Sequence, residues 1–493
     1  MKYIGSLAML IFVVMVFFVD IYQTKVSCQG VGKSPGANRV PATELPAHKG
    51  TTVTELPAAK SITVTELPGP EGVPATDNTT ASLSKETTSN PDLYVKDRGG
   101  RSKLMLAAKY GLIDIVKRLL AASLEINDID DDGKTALMYA ADEGYTDTLK
   151  LLLSLGANIN AEDDSGRSAL FFAARRGRVD AIKALLEAGA NPTLRDESGK
   201  TALMYAALPG HTSTVKTLIE AARGTDVDAK DDNGKTALML TAVLGRTETA
   251  KELLLAGTNI NIADIEGKNA LIIAVEKGRL ATTQLLLDFG ANILSKDDKG
   301  LTALMHAARQ NQVDTAKLLL SFGALVNEKE NDGKTALMLA AEKGYFNMVD
   351  TLLGGGFGAD VNIRDDNGRT ALILAVQNDH YNVVPYLLEV GTDPNVRADN
   401  GKTALMLAAQ NDQAAILQVL LRFGAQVNIR DDDGRTALIL ATRNGHSSII
   451  RLLIEADADV NIRDDDAKTA WDYAKEKSNM GILLLLQEAG AIE

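Results

Sequence analysis

The hexapeptide Gly-Lys-Thr-Ala-Leu-Met recurs down this chain at Gly133–Met138, Gly199–Met204, Gly234–Met239, Gly333–Met338 and Gly401–Met406. Variants at Gly166–Phe171, Gly267–Ile272, Gly300–Met305, Gly368–Ile373 and Gly434–Ile439 fill the gaps, so the basic step is 33 residues. A unit this short cannot bury its apolar face alone. It has to stack on neighbours, and the stack is a solenoid. Such an array is a binding surface by construction, and an enzyme is not expected.

The residue before each Ala-Leu, or before the Lys103-Leu104 and Ala470-Trp471 that stand in its place at the two ends, marks the register: Ser102, Thr135, Ser168, Thr201, Thr236, Asn269, Thr302, Thr335, Thr370, Thr403, Thr436 and Thr469, which makes twelve units. The spacing widens to 35 after Thr201 and again after Thr335, with the extra residues at Glu220–Thr225 and Gly354–Gly358. Both insertions close a group of four repeats, giving a longer period of 134 (102, 236, 370). The repeats after each insertion share Gly-Thr (Gly257-Thr258, Gly391-Thr392) where most others have Gly-Ala. Duplication of a four-repeat module accounts for this, and independent loop insertions are the alternative.

One unit shows the local physics. Asp130–Gly133 reads as a turn, because Asp bonds its own backbone and Gly tolerates positive φ. Thr135 offers an N-cap oxygen to free backbone N–H groups. Ala136–Ala141 has the small and apolar spacing of a short buried helix, stopped by Gly144. Thr146–Leu153 forms a second helix with Leu149, Leu152 and Leu153 on its apolar face. Gly156-Ala157 ends that helix. The expected fold class is therefore all-α.

Gly-Lys-Thr-Ala-Leu-Met-x-Ala-Ala, then a Leu-rich helix, then Gly-Ala-x-x-Asn, resembles the ankyrin repeat from about Gly99 to Glu493. The resemblance implies an ankyrin-repeat solenoid of helix-turn-helix units with β-hairpin-like loops over residues 98–493. It implies protein partners bound on the concave face, at the turn tips and first-helix ends. One departure is that Thr-Ala-Leu-Met stands where the family has Thr-Pro-Leu-His. The loop-tying histidine is absent, which shifts the expected burden to apolar stacking. The first unit, Ser102–Leu106, is atypical and is read as one cap. In the last unit Ala467 replaces the turn glycine, and Ala470-Trp471-Asp472-Tyr473-Ala474 resembles the family's C-terminal cap, implying a wettable end.

The N-terminus is different in kind. An apolar run from Ile4 to Val19 follows Lys2 and precedes Asp20, Lys25, Ser27 and Cys28. Its 16 residues fall short of the ~20 that span a bilayer, so residues 1–28 are expected to be a cleaved export signal processed beside Ser27 or Cys28. A secreted or extracytoplasmic protein follows, periplasmic or at the surface. The alternative is an uncleaved anchor at residues 4–19, and the membrane would be engaged only there. A lipid attachment through Cys28 fits poorly. Residues 29–97 are a Thr, Pro, Ala and Ser-rich linker that cannot bury enough to order itself. It carries Thr43–Pro46, Thr54–Pro57 and Thr65–Pro68 at a spacing of 11, and the sequon Asn78-Thr79-Thr80.

A net charge of −13 argues against nucleic acid as a partner. One cysteine excludes an internal disulfide framework. Gly-Lys-Thr lacks the glycine five residues earlier that a phosphate loop needs; Asp128, Leu194, Ala229, Glu328 and Val396 stand there. Asp128–Gly133 opens like a calcium loop, but its twelfth position is Tyr139, so its aspartates read as turn formers. His48, His211, His306, His380 and His446 are scattered. No cofactor, metal or catalytic constellation is expected, and a monomer is.

The first-helix ends are mostly polar, as with Arg309-Gln310. Leu208-Pro209 and Val243-Leu244, on adjacent repeats beside the first insertion, break that rule and mark a candidate contact patch with Arg175-Arg176 as a cationic rim. The competing reading lays the inserted Ala221–Thr225 segment over them. A non-catalytic scaffold for a protein partner is the expected function. A surface, envelope or membrane-anchored spacer is the alternative.

Overall fold

A computed structural model describes residues 94–221 and 226–492. The expected signal, Ser27 and Cys28, nearly all of the linker and residues 222–225 of the first insertion lie outside the described residues. The array falls in one unit spanning Ala75–Glu493.

Twenty-four helices occupy the described residues, two per repeat. Repeat 2 is typical. Thr135 sits extended at φ −95° and its hydroxyl oxygen accepts from the Met138 backbone N–H, opening the helix Ala136–Glu143. Gly144 closes it in the left-handed region at φ 85°. The second helix, Thr146–Ser154, ends when Gly156 N–H donates to Leu153 O and Ala157 N–H to Leu152 O, the paired bonds that satisfy orphan carbonyls. The same capping bond forms at every register residue except Ser168. First helices pack on first helices and second on second. One apolar core runs from Leu104 to Leu486.

The turns form as the sequence demands. Asp130 Oδ1 accepts from the backbone N–H of Asp132 (3.0 Å) and Lys134 (2.8 Å), while Tyr139 Oη donates to Oδ2. Both oxygens of the look-alike calcium aspartate are therefore spent inside the turn. Asp163, Asp196, Asp231, Asp264, Asp297, Asp365, Asp431 and Asp464 are buried in the same role. The hairpin-like loops contain no strand among the described residues; one antiparallel bridge, Lys296 to Thr302, is the nearest approach. The Gly354–Gly358 insertion is a loop following the helix Phe346–Leu353, with Gly355, Gly356 and Gly358 at positive φ.

Polar ties join the loops in addition to the apolar stacking on which the sequence places the burden. Each turn tip is bonded to the one before through backbone, as from Asp366 N–H to Asp332 O (3.1 Å). An asparagine ladder links the loops after the second helices, as from Asn158 N–H to Asn127 Oδ1 (2.8 Å). At repeats 6 and 7 that ladder loses a rung, because Leu294 stands where an amide oxygen would meet Leu325 N–H; both leucines are exposed. A third tie starts where the second helix begins: the imidazole Nε2 of His211, His380 and His446 bonds Arg175 O, Glu342 O and Gln410 O of the preceding repeat.

Two boundaries differ from expectation. Tyr94 and Lys96, placed in the linker by sequence, already bond to the first repeat, with Lys96 Nζ 2.7 Å from Asp128 Oδ1. The C-terminal end is only partly wettable. Gln487 occupies the register filled by Leu or Ile in the other second helices, but Met480, Leu484 and Ile492 are 69%, 56% and 72% exposed. Composition of the first helix alone could not reveal that.

Candidate functional site

The turns and the first helices build one face. Every repeat but one places Lys or Arg immediately before the capping residue, Leu301 being the exception. Eight residues later the chain reaches the end of the first helix, so the two side chains meet across the face. Lys268 Nζ bonds Glu276 at 2.7 Å, Lys334 bonds Glu342 at 2.8 Å, Lys402 bonds Gln410 at 2.7 Å, and Lys468 bonds Glu476. Arg101, Arg167 and Arg369 turn back to Asp97, Asp163 and Asp365. Lys134 and Arg435 pair with Asp132 and Asp433.

The predicted contact residues fall in two places. Arg175 and Arg176 sit at the end of the helix Ala169–Arg175, and both reach Asp142 of repeat 2, at 2.9 and 3.3 Å. The rim is therefore partly neutralised rather than a free pair of cations. Arg175 also lies over the Phe172 ring, 5.3 Å from its centroid, as Arg167 does at 5.2 Å. Leu208 and Leu244 are 37% and 39% exposed, while Pro209 and Val243 are half-buried. The patch is thus open to solvent on adjacent repeats whose first helices pack together.

Arg309 and Gln310 belong elsewhere. They line a cleft of about 680 Å³ that crosses repeats 6 to 8, with Glu266, Lys268, Glu276, Lys299, His306 and Lys343 among its walls and Ile265 and Leu301 as apolar surface. Burial would raise the Glu276 carboxyl, but hydrogen bonds from Lys268 and Lys277 outweigh it and hold the group at about 2. Lys268 is pushed up, because the Glu266 and Glu276 bonds outweigh the opposing effect of burial. His306 Nε2 lies 2.9 Å from Asp297 Oδ2, and burial draws the imidazole below its ordinary pKa despite that carboxylate. His306 replaces the tyrosine that bonds the turn aspartate in repeats 2, 4 and 12; in repeat 4, burial and the Asp196 bond push Tyr205 up to about 12.

Sequence reasoning missed this cleft except for Arg309 and Gln310. The usable signals were Leu301 in a basic register and His306 nine residues after Asp297. Among the described residues no group of His, Cys, Asp or Glu is arranged to hold a metal ion, and no helix is long and apolar enough to cross a membrane. Across the array the turns, caps and core keep one pattern while the helix ends change.

The family model for ankyrin repeats, in three copies, matches overlapping windows at residues 77–163, 155–231, 210–297, 241–330, 282–365, 323–398, 355–431 and 390–464. A comparison with curated proteins finds no match. The matched windows cover most of the chain and coincide with the stacked helix pairs, so the chain belongs to the ankyrin repeat family.

Proposed function

We propose that this chain is an exported, non-catalytic scaffold that binds a protein partner across its turn-and-first-helix face. Ankyrin repeats are in general protein–protein interaction modules. The observation that carries the reading is the cleft over repeats 6 to 8, where side chains at positions that vary between repeats, such as Arg309, Gln310 and Lys343, stand on a repeating frame. A frame that keeps its core and varies its helix ends separates stability from recognition. The apolar run at residues 4–19 supports export, and the partner would then be met outside the cytoplasm.

Two measurements test this. N-terminal analysis of the mature chain should find a start near Gln29 in an extracytoplasmic fraction; intact Met1 on cytosolic protein refutes export. Affinity capture with the full chain should return a saturable partner that Arg309→Ala/Gln310→Ala weakens at an unchanged Tm. Absence of any saturable partner favours the spacer reading.

A further inference from the structure

We infer that repeats 4 and 5 form a subsite for a protein segment that alternates carboxylates with large apolar side chains, gripped by Lys200 and Lys235 beside Leu208, Val243 and Leu244. The inference rests on the reading that this face binds a protein partner.

The argument is one of broken register. The basic residue before each cap finds a carboxylate or amide in every repeat that has one, save two. Among the described residues, the ammonium groups of Lys200 and Lys235 make neither an ion pair nor a hydrogen bond. The cause is visible in the sequence. The position eight residues on supplies Glu276, Glu342 and Gln410 elsewhere, but here it is Leu208 and Val243. One change thus does two things: it strips the lysine of its partner and puts apolar atoms in the vacated place.

Nearby acids do not compensate. Asp196 is consumed by the backbone N–H groups of Ser198 and Lys200 and by Tyr205 Oη, and Asp231 Oδ1 by those of Asn233 and Lys235. Glu266, whose carboxyl senses the charge of Lys235, is held by Lys268 at 2.7 Å. On the other side, Asp142 answers both Arg175 and Arg176, leaving that corner net positive. Two unpaired ammonium groups beside apolar surface therefore interrupt a face on which the other basic residues of this register are paired.

Both lysines are half-buried, so their methylene stems lie along the surface and only the charged heads remain to be satisfied. A charge-assisted bond made beside apolar surface gains strength from the reduced water around it. Repeats stacked through helix packing lie about 10 Å apart. Two carboxylates seven residues apart on a helix, at roughly 10.5 Å, match that distance. Leucines interleaved with them would rest on Leu208 and Leu244.

The test uses the full chain and a labelled helical peptide, with Glu and Leu each repeated at i,i+7, in fluorescence anisotropy. The peptide should bind saturably. Its affinity should fall at least tenfold when Glu is replaced by Gln in the peptide, and equally for Lys200→Gln/Lys235→Gln at unchanged Tm. Lys402→Gln, a lysine already satisfied by Gln410, should leave it unaltered. Leu208→Ser/Leu244→Ser should weaken it at low and high salt alike. Failure of the peptide to bind, or equal binding by the Gln peptide or by the lysine double variant, overturns the subsite. A captured partner that responds to Arg309→Ala but not to the lysine variants leaves the scaffold reading standing and removes this one.

Discussion

Gly333→Ala should open the stack locally, whereas Ala467→Gly, at the equivalent turn of the last repeat, should leave it nearly untouched. Gly333 has φ 78°, and a Cβ added there would lie 2.7 Å from the backbone nitrogen of Asp366 in the next turn. That nitrogen donates to Asp332 O at 3.1 Å, so the added methyl displaces an inter-repeat bond. Holding a non-glycine residue in the left-handed region costs roughly 1–2 kcal/mol. Losing the backbone bond adds about 0.5–1.5 kcal/mol. The sum is ~1.5–3.5 kcal/mol at the interface of repeats 8 and 9. Ala467 already adopts φ 61° and is exposed, and among the described residues no later turn lies over it. Replacing it by Gly relieves the backbone strain at some entropic cost, for a net change within about 1 kcal/mol. Hydrogen exchange read by mass spectrometry gives the local opening free energy at each interface. A cost for Gly333→Ala no larger than the gain from Ala467→Gly would mean that backbone conformation alone selects glycine, and that close approach of the next turn has no part in it.

Leu337→Ala, at 2% exposure in the middle of the core, should cost ~2–5 kcal/mol in urea unfolding, and a loss under about half a kcal/mol would place the residue outside the core. Leu294→Asn restores the missing rung by accepting from Leu325 N–H, and should stabilise repeats 6 and 7 by about 1 kcal/mol; slower exchange at Leu325 is the check. His306→Tyr should flatten the acid sensitivity of repeat 7. Because the folded imidazole titrates below its ordinary value, its penalty is absent above about pH 6.5 and grows as pH falls beneath that. The Tm difference between pH 7.5 and 5.5 should therefore shrink in the variant. Glu276 works in a lower window: its depressed carboxyl contributes stability above about pH 4.5, lost as pH falls toward about 2. Glu276→Gln should remove on the order of 1 kcal/mol at neutral pH and nothing at pH 2.

The repeat, its caps and its core were legible because each is enforced by a local rule that recurs from unit to unit, Ser168 alone making no capping bond. Thr135 must cap, Gly144 must take positive φ, and Leu149 must face inward, whatever the neighbours do. The ties between repeats were harder to read. The asparagine ladder joins residues 31 apart, and no local rule assigns Asn127 to Asn158 until stacking sets them side by side. The surroundings of the contact patch were hidden for the same reason. Leu208 and Leu244 stand out against polar neighbours in sequence, and they are exposed. Arg175 and Arg176 look equally available, yet Asp142, one repeat earlier, claims both. The converse error is more instructive. Lys200 and Lys235 look like any other Gly-Lys-Thr lysine, since the motif around them is intact. Their difference appears only when the face is assembled and the residue eight positions on is found to be apolar. In a periodic protein the information about recognition lies in the exceptions, and an exception at one position changes the chemistry of another that still matches the motif.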